Sequence, residues 1–146
     1  MGPTYDYTKL VTIGDSNAMQ NVYFVYYFTL QGAVREMWVK ECVPNALQHF
    51  RSGLLLSTKS AHCEYRKPFY LFDTILCRMH VEELCRVSVK LMFEFYCLET
   101  MALHAFGWQQ VVFKNALRKT CRMPEDFSKA ARAVLWPTAE EINLHP

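Results

Sequence analysis

The sequence predicts an α+β fold in which one long central helix is wrapped by a five-stranded antiparallel sheet, with a short helix at the C-terminus. Three observations carry this. A nearly all-apolar run over 23–43 is too long for a strand and reads as a buried helix. Strand-like stretches at about 53–66, 71–82, 85–99 and 103–120 follow with short polar connections, which favour hairpins over helical crossovers. Met123-Pro124-Glu125-Asp126 then opens an amphipathic segment with proline and acids in its first turn.

Taken in order, the segment 5–13 alternates loosely and is rich in Tyr, Thr and Val, so it forms a first strand. Gly14-Asp15-Ser16-Asn17 breaks it as a turn. The helix over 23–43 carries few polar residues, namely Thr29, Gln31, Arg35, Glu36, Lys40 and Glu41, and Gly32 is read as the point where another backbone comes close. Pro44 ends the helix near Val43, because the residue before a proline is pushed out of the helical region. A polar connection through Gln48 and Arg51 leads on to the sheet. The clearest strand sets Val87, Val89, Leu91, Phe93 and Phe95 on one face and Arg86, Ser88, Lys90 and Glu94 on the other, the pattern of a half-buried antiparallel strand. The last helix turns Phe127, Ala130, Ala131 and Val134 to one side, and the tail after Pro137 is read as loose.

The 146 residues hold no Pro, Gly or Ser-rich divider and read as one domain over 1–146, with its core at about 5–135. At 51% hydrophobic and 14% aromatic the chain has more apolar surface than one small core needs, so a homo-oligomer, dimer or tetramer, is expected. A formal charge of +2 without a basic run argues against nucleic-acid binding. Neither a leader pattern nor a stretch approaching about eighteen apolar residues is seen, so a soluble, cytoplasmic protein with no membrane partner is expected. The six cysteines form no Cys-x-x-Cys pair and the five histidines are scattered. Reduced, buried thiols are predicted, with no metal and no cofactor.

The richest stretch is 15–38. Asp15-Ser16-Asn17 sets an acid, a hydroxyl and an amide in series, Asn21-Val22-Tyr23 follows, and Gln31-Gly32 and Arg35-Glu36 lie on the helix. This pattern resembles the opening motif of the 4-hydroxybenzoyl-CoA thioesterase superfamily, a hotdog fold, and most closely the stand-alone thioesterases of enediyne polyketide pathways. The resemblance extends to Glu64-Tyr65-Arg66-Lys67-Pro68 with Asp73, and to Gly107-Trp108-Gln109-Gln110-Val111-Val112-Phe113, which is similar to that family's last strand. One departure is Gln20, where relatives usually carry Gly.

The resemblance implies hydrolysis of an acyl thioester. In the wider superfamily an Asp, acting as nucleophile or general base, often stands where this chain has Asn17. An amide donates a hydrogen bond or orients water but cannot take the proton. The resemblance therefore implies Asn17 and Arg35 as the catalytic pair, stabilising an oxyanion while water attacks directly and no covalent acyl-enzyme forms. Tyr23, Phe24, Tyr27, Phe28 and Trp38 are the candidate substrate-binding residues, lining an apolar channel for a rigid polyene or equally serving as core. Asn17 otherwise shapes a turn, and Arg35 otherwise joins a structural ion pair with Glu36 or Glu41. Asp15 and Glu64 remain as residual candidates for a base.

Arg35 lies about a dozen residues into the expected helix, roughly 18 Å from its start, so it meets Asn17 either by the loop folding back or across subunits. The implied substrate is a polyketide, a polyene with a β-keto group, released from the acyl carrier protein of an iterative polyketide synthase and in such pathways decarboxylated. Coenzyme A is the alternative carrier, and Arg66, Lys67, Arg118, Lys119 and Arg122 are cations that serve either one. A non-catalytic acyl-binding hotdog protein is the reading from another class. It predicts binding without turnover.

Overall fold

The structure, a computed structural model, describes residues 2–17 and 21–138. Five strands, β1 (Tyr5–Leu10), β2 (Leu55–Tyr65), β3 (Thr74–Leu84), β4 (Ser88–Cys97) and β5 (Leu103–Lys114), accompany helices α1 (Tyr26–Cys42), α2 (Ala46–Arg51) and α3 (Glu125–Ala133). The strands form one antiparallel sheet in the order β1-β3-β4-β5-β2. β1 and β2 are its edges, and α1 is carried by the segment that joins them. A chain that leaves one edge and re-enters at the other must cross the sheet, so α1 lies over one face and buries Tyr27, Leu30, Gln31, Val34, Trp38 and Val39 there. This is the α+β hotdog arrangement, with a short C-terminal helix.

The other half of the core comes from the strands. β4 and β5 alternate strictly between buried and half-buried positions. Phe93 and Phe95 are fully buried, as are Phe69 and Phe113 within about two percent, and each such ring removed from water contributes roughly 1.5–3 kcal/mol. Val87, expected in the same row as Val89, Leu91, Phe93 and Phe95, lies just before β4 and is only half-buried. Phe127, Ala130 and Ala131 of α3 close one end of the roll, where Phe127 meets the Phe113 ring edge-on at 5.3 Å.

Four expectations are corrected. α1 starts at Tyr26 and not at Tyr23, because Tyr26, Tyr27 and Phe28 donate to the carbonyls of Tyr23, Phe24 and Val25, three residues back, in a tighter turn. The connection through Gln48 and Arg51 is helical: α2 pins itself to α3 through His49 and Asp126, 2.9 Å apart. β5 ends at Lys114, where the Asn115 side chain folds a turn by accepting the amides of Leu117 and Lys119. Gly32 faces open space within the chain, and the close approach occurs at Gly107. A Cβ on Gly107 would collide with the His62 carbonyl oxygen and stand 2.7 Å from Gln31 Nε2. Gln31 uses that gap to donate to the His62 carbonyl at 3.0 Å, tying α1 to the edge strand β2.

The segment between β1 and α1 is held at both ends. The Asp15 carboxylate accepts the Thr12 amide and hydroxyl, each at 2.9 Å, around a single 3-10 turn. Asn17 donates its amide to the Asn21 carbonyl, and Val22 donates to Phe69, so the chain re-enters beside the strand-like segment at 69–70. Gln20, the departure from the family pattern, lies outside the described residues. So does the tail beyond Thr138. Before it, residues 134–136 add to β3: Val81 donates to Val134, and Trp136 donates to Val81 while stacking on His80 at 3.5 Å.

Two predictions follow from these contacts. Gly107→Ala should destabilise the fold by at least about 1–3 kcal/mol, since the new methyl displaces both Gln31 and β2; a urea midpoint equal to wild type would contradict this. Burial alone raises the Asp15 carboxyl, but the Thr12 donors, the Lys9 ammonium and the Tyr26 hydroxyl together hold it below the usual 3.8. A depressed folded-state value stabilises above the unfolded value and loses that contribution as pH falls through the folded one. Asp15→Asn should therefore cost about 1 kcal/mol at neutral pH, with the difference from wild type shrinking below about pH 4 in melting curves.

Candidate active site

Asn17 lies at the end of α1 where the helix begins. It lines a cleft of about 390 Å³ together with Asn21, Tyr23, Phe24, Tyr27, Tyr65 and the Arg66-Lys67-Pro68 turn. The Tyr65 hydroxyl donates to the Phe24 carbonyl at 2.9 Å and its ring meets Tyr27 edge-on at 4.9 Å, which fixes the aromatic wall. Burial pushes the Tyr65 phenol up to about 12 and Tyr27 higher still. Both rings therefore offer protonated hydroxyls. Burial also pushes the neighbouring Cys63 thiol up to about 11, which keeps it out of the reactive thiolate form at neutral pH.

Arg35 lies nine residues after the start of α1, about 14 Å along the axis. Its side chain is only 13% exposed. Nη1 donates to Thr58 Oγ1 at 2.9 Å and to Gln109 Oε1 at 3.1 Å, while Nη2 stands 3.5 Å from the exposed carboxylate of Glu36. Nε is buried and has no hydrogen-bond partner among the described residues. Arg35 forms one wall of a cavity of about 790 Å³ between α1, α2 and the start of β2, otherwise lined mainly by Val39, Val43, Leu47, Phe50, Leu54 and Leu56. A fixed cation at the edge of an apolar cavity can stabilise negative charge developing on a bound oxygen.

Within one copy the structure does not bring the two expected catalytic residues to a common cavity. Asn17 lines the aromatic cleft and Arg35 lines the larger apolar cavity. β2 links them: Thr58 touches Arg35 and Tyr65 walls the cleft, about 23 Å apart along the strand. Of the expected substrate-binding residues, Tyr23, Phe24 and Tyr27 line the cleft beside Asn17. Phe28 is partly exposed and lines neither cavity, and Trp38 is packed in the core at 4% exposure.

Asp15 is committed to Thr12, and Glu64 lies at the surface 3.6 Å from His62. Thr58 and Gln109 received no role from the sequence. Their contacts with Arg35 span 23 and 74 residues of chain, which no local spacing encodes.

The sequence matches the thioesterase-like superfamily over residues 11–131. No curated protein sequence matches it. Among solved structures, the dynemicin thioesterase, crystallised in a study of polyene binding, superposes with a TM-score of 0.87 at 23% identity over 93% of this chain and 100% of that one. A 1,4-dihydroxy-2-naphthoyl-CoA thioesterase from Synechocystis gives 0.80 at 18% identity, covering 89% and 96%. A Staphylococcus aureus protein in complex with CoA gives 0.84 at 14% identity, covering 100% and 94%. At these identities the likeness is one of fold. With the family match spanning both Asn17 and Arg35, the chain belongs to the thioesterase-like superfamily, and the reaction class is thioester hydrolysis.

Proposed function

We propose that the protein hydrolyses a polyketide thioester, a β-keto polyene carried by the acyl carrier protein of a polyketide synthase, with Arg35 and Asn17 stabilising the oxyanion. The observation that carries the site assignment is the largely buried guanidinium of Arg35, held by the neutral acceptors Thr58 and Gln109 on a cavity wall. A cation oriented in this way beside an apolar cavity stabilises a substrate carbonyl oxygen as it gains charge. Water attacks the carbonyl carbon, a C–O bond forms, the C–S bond breaks, and one proton of the water ends on the departing sulfur while the other leaves with the acid. No side chain is acylated. The acid formed from a β-keto chain can then lose carbon dioxide.

The two half-sites join through a second copy. β2 is an edge strand of 11 residues with its outer side unpaired, an invitation to add another strand. Exposed Leu55 begins it, and exposed Tyr23 and Phe24 share the cleft at its Tyr65 end. Two-fold antiparallel pairing of β2 with itself sets the Thr58 end of one copy against the Tyr65 end of the other. That brings the Arg35 cavity up to the aromatic cleft of its neighbour, so that the conjugated chain rests on Tyr23, Phe24 and Tyr27 and the carrier arm fills the larger cavity. A volume of about 790 Å³ suits such an arm. Coenzyme A as the carrier is the second reading, favoured by fold neighbours that act on or bind CoA species.

The test is turnover of matched acyl chains on an acyl carrier protein and on coenzyme A, followed as free thiol and as acid by mass spectrometry. Arg35→Ala and Asn17→Ala should each lower kcat/KM by about 10²–10³ while the circular dichroism spectrum is kept. Unchanged turnover in both variants would remove the site assignment.

A further inference from the structure

Cations are distributed unevenly along the chain. Six of the sixteen Lys and Arg residues fall within 114–132, against two of the fourteen acids, so the rest of a chain of net charge +2 is net negative. Both acids are already engaged: Glu125 holds Arg132 at 3.2 Å and Asp126 holds His49 at 2.9 Å. Arg118, Lys119, Arg122 and Lys129 are exposed and make no ion pair among the described residues. Arg86 joins them from the β3–β4 turn, where it lines a small polar pocket with Arg122, Ser128 and Arg132.

The cluster is held in place. Asn115 accepts the amides of Leu117 and Lys119 on its side chain and that of Arg118 on its carbonyl, while Lys114 bridges to Thr120, closing a turn that presents Arg118 and Lys119 outward. Arg118 sits at φ 62, where glycine would be unstrained. Local backbone preference does not select arginine there.

The patch also adjoins the larger cavity. Lys114 pairs opposite Leu55, which lines that cavity, and Ala116 packs so closely on Gly53 that a Cβ there would strike it. Arg66 and Lys67 lie at the other end of β2, by the aromatic cleft. The five cations considered from the sequence thus divide into two groups, and the 118–122 group sits on the turn that Lys114 and Ala116 join to the strand end lining the cavity given to the carrier arm.

We infer that this turn and the exposed side of α3 form the docking surface for an acidic carrier protein, which delivers its thioester arm past Leu54 and Leu55 towards Arg35. The inference rests on the thioesterase reading above and names its partner. A protein fits better than a phosphate group alone, because the charges spread over a turn and a helix instead of converging. Leu117, 76% exposed among them, supplies an apolar contact that only a macromolecule covers.

The test uses one acyl group, octanoyl, on three leaving groups: an acyl carrier protein, coenzyme A and N-acetylcysteamine. The triple variant Arg118→Glu, Lys119→Glu, Arg122→Glu should lose about tenfold to a hundredfold in kcat/KM on the carrier-protein substrate, as for loss of electrostatic steering. Hydrolysis of the N-acetylcysteamine thioester should stay within about twofold, and the salt dependence of the carrier reaction should flatten. Affinity for the phosphopantetheinylated carrier, measured separately by fluorescence anisotropy, should fall in parallel. Unchanged carrier affinity overturns the inference, and so does a loss seen on coenzyme A but not on the carrier, which would make the patch a nucleotide-phosphate site. If wild type binds the carrier through the patch but hydrolyses none of the three, the docking surface stands and the catalytic reading fails.

Discussion

The amide of Gln31 donates to the carbonyl of His62 across the space left by the absent side chain of Gly107. Gln31 is wholly buried and its Oε1 has no hydrogen-bond partner among the described residues. A buried amide left half-satisfied costs on the order of 1–3 kcal/mol, more than one neutral hydrogen bond returns. What the contact secures is position. It fixes the central helix against β2, an edge strand that the sheet holds from one side only, and with it the register of everything β2 carries.

That register decides the chemistry around Arg35. β2 shifts register between Thr58 and Ser60, leaving Lys59 as an extra residue, and Thr58 meets the guanidinium from this point. Gln109 on β5 completes the hold. Neither is an acid, and Glu36, the only carboxylate paired with Arg35 among the described residues, is largely in solvent. The charge is thus oriented by neutral acceptors and stays weakly compensated, which suits the oxyanion role proposed for it. A buried carboxylate in the place of Gln109 would hold the side chain equally well and cancel its field.

The same strand explains why the two parts of the candidate site lie apart. Asn17 and the aromatic residues gather where α1 begins, and Arg35 faces the apolar cavity two and a half turns later. An unpaired edge between them is a liability in a monomer and a join in a symmetric pair. Beside that edge, Lys114 pairs opposite Leu55 of the larger cavity, so the 114–122 turn joins the sheet at the strand end that lines it.

Periodicity and punctuation made much of the fold legible. The alternation through Val89, Leu91, Phe93 and Phe95, the long apolar run closed by Pro44, and the acids after Pro124 are each local signals, written within one or two turns of chain. The Asn17 to Arg35 motif was legible for the same reason. By itself the sequence determined the α+β class and most of the element types, and it singled out Asn17 and Arg35 as candidates. Only the tertiary structure decided that Gly107 and not Gly32 is the point of close approach, that Thr58 and Gln109 hold the guanidinium, that Trp38 belongs to the core, and that Asn17 and Arg35 face separate cavities. Those facts depend on strand register and on contacts between residues tens of positions apart, and no spacing along a chain records which distant backbone will arrive beside it.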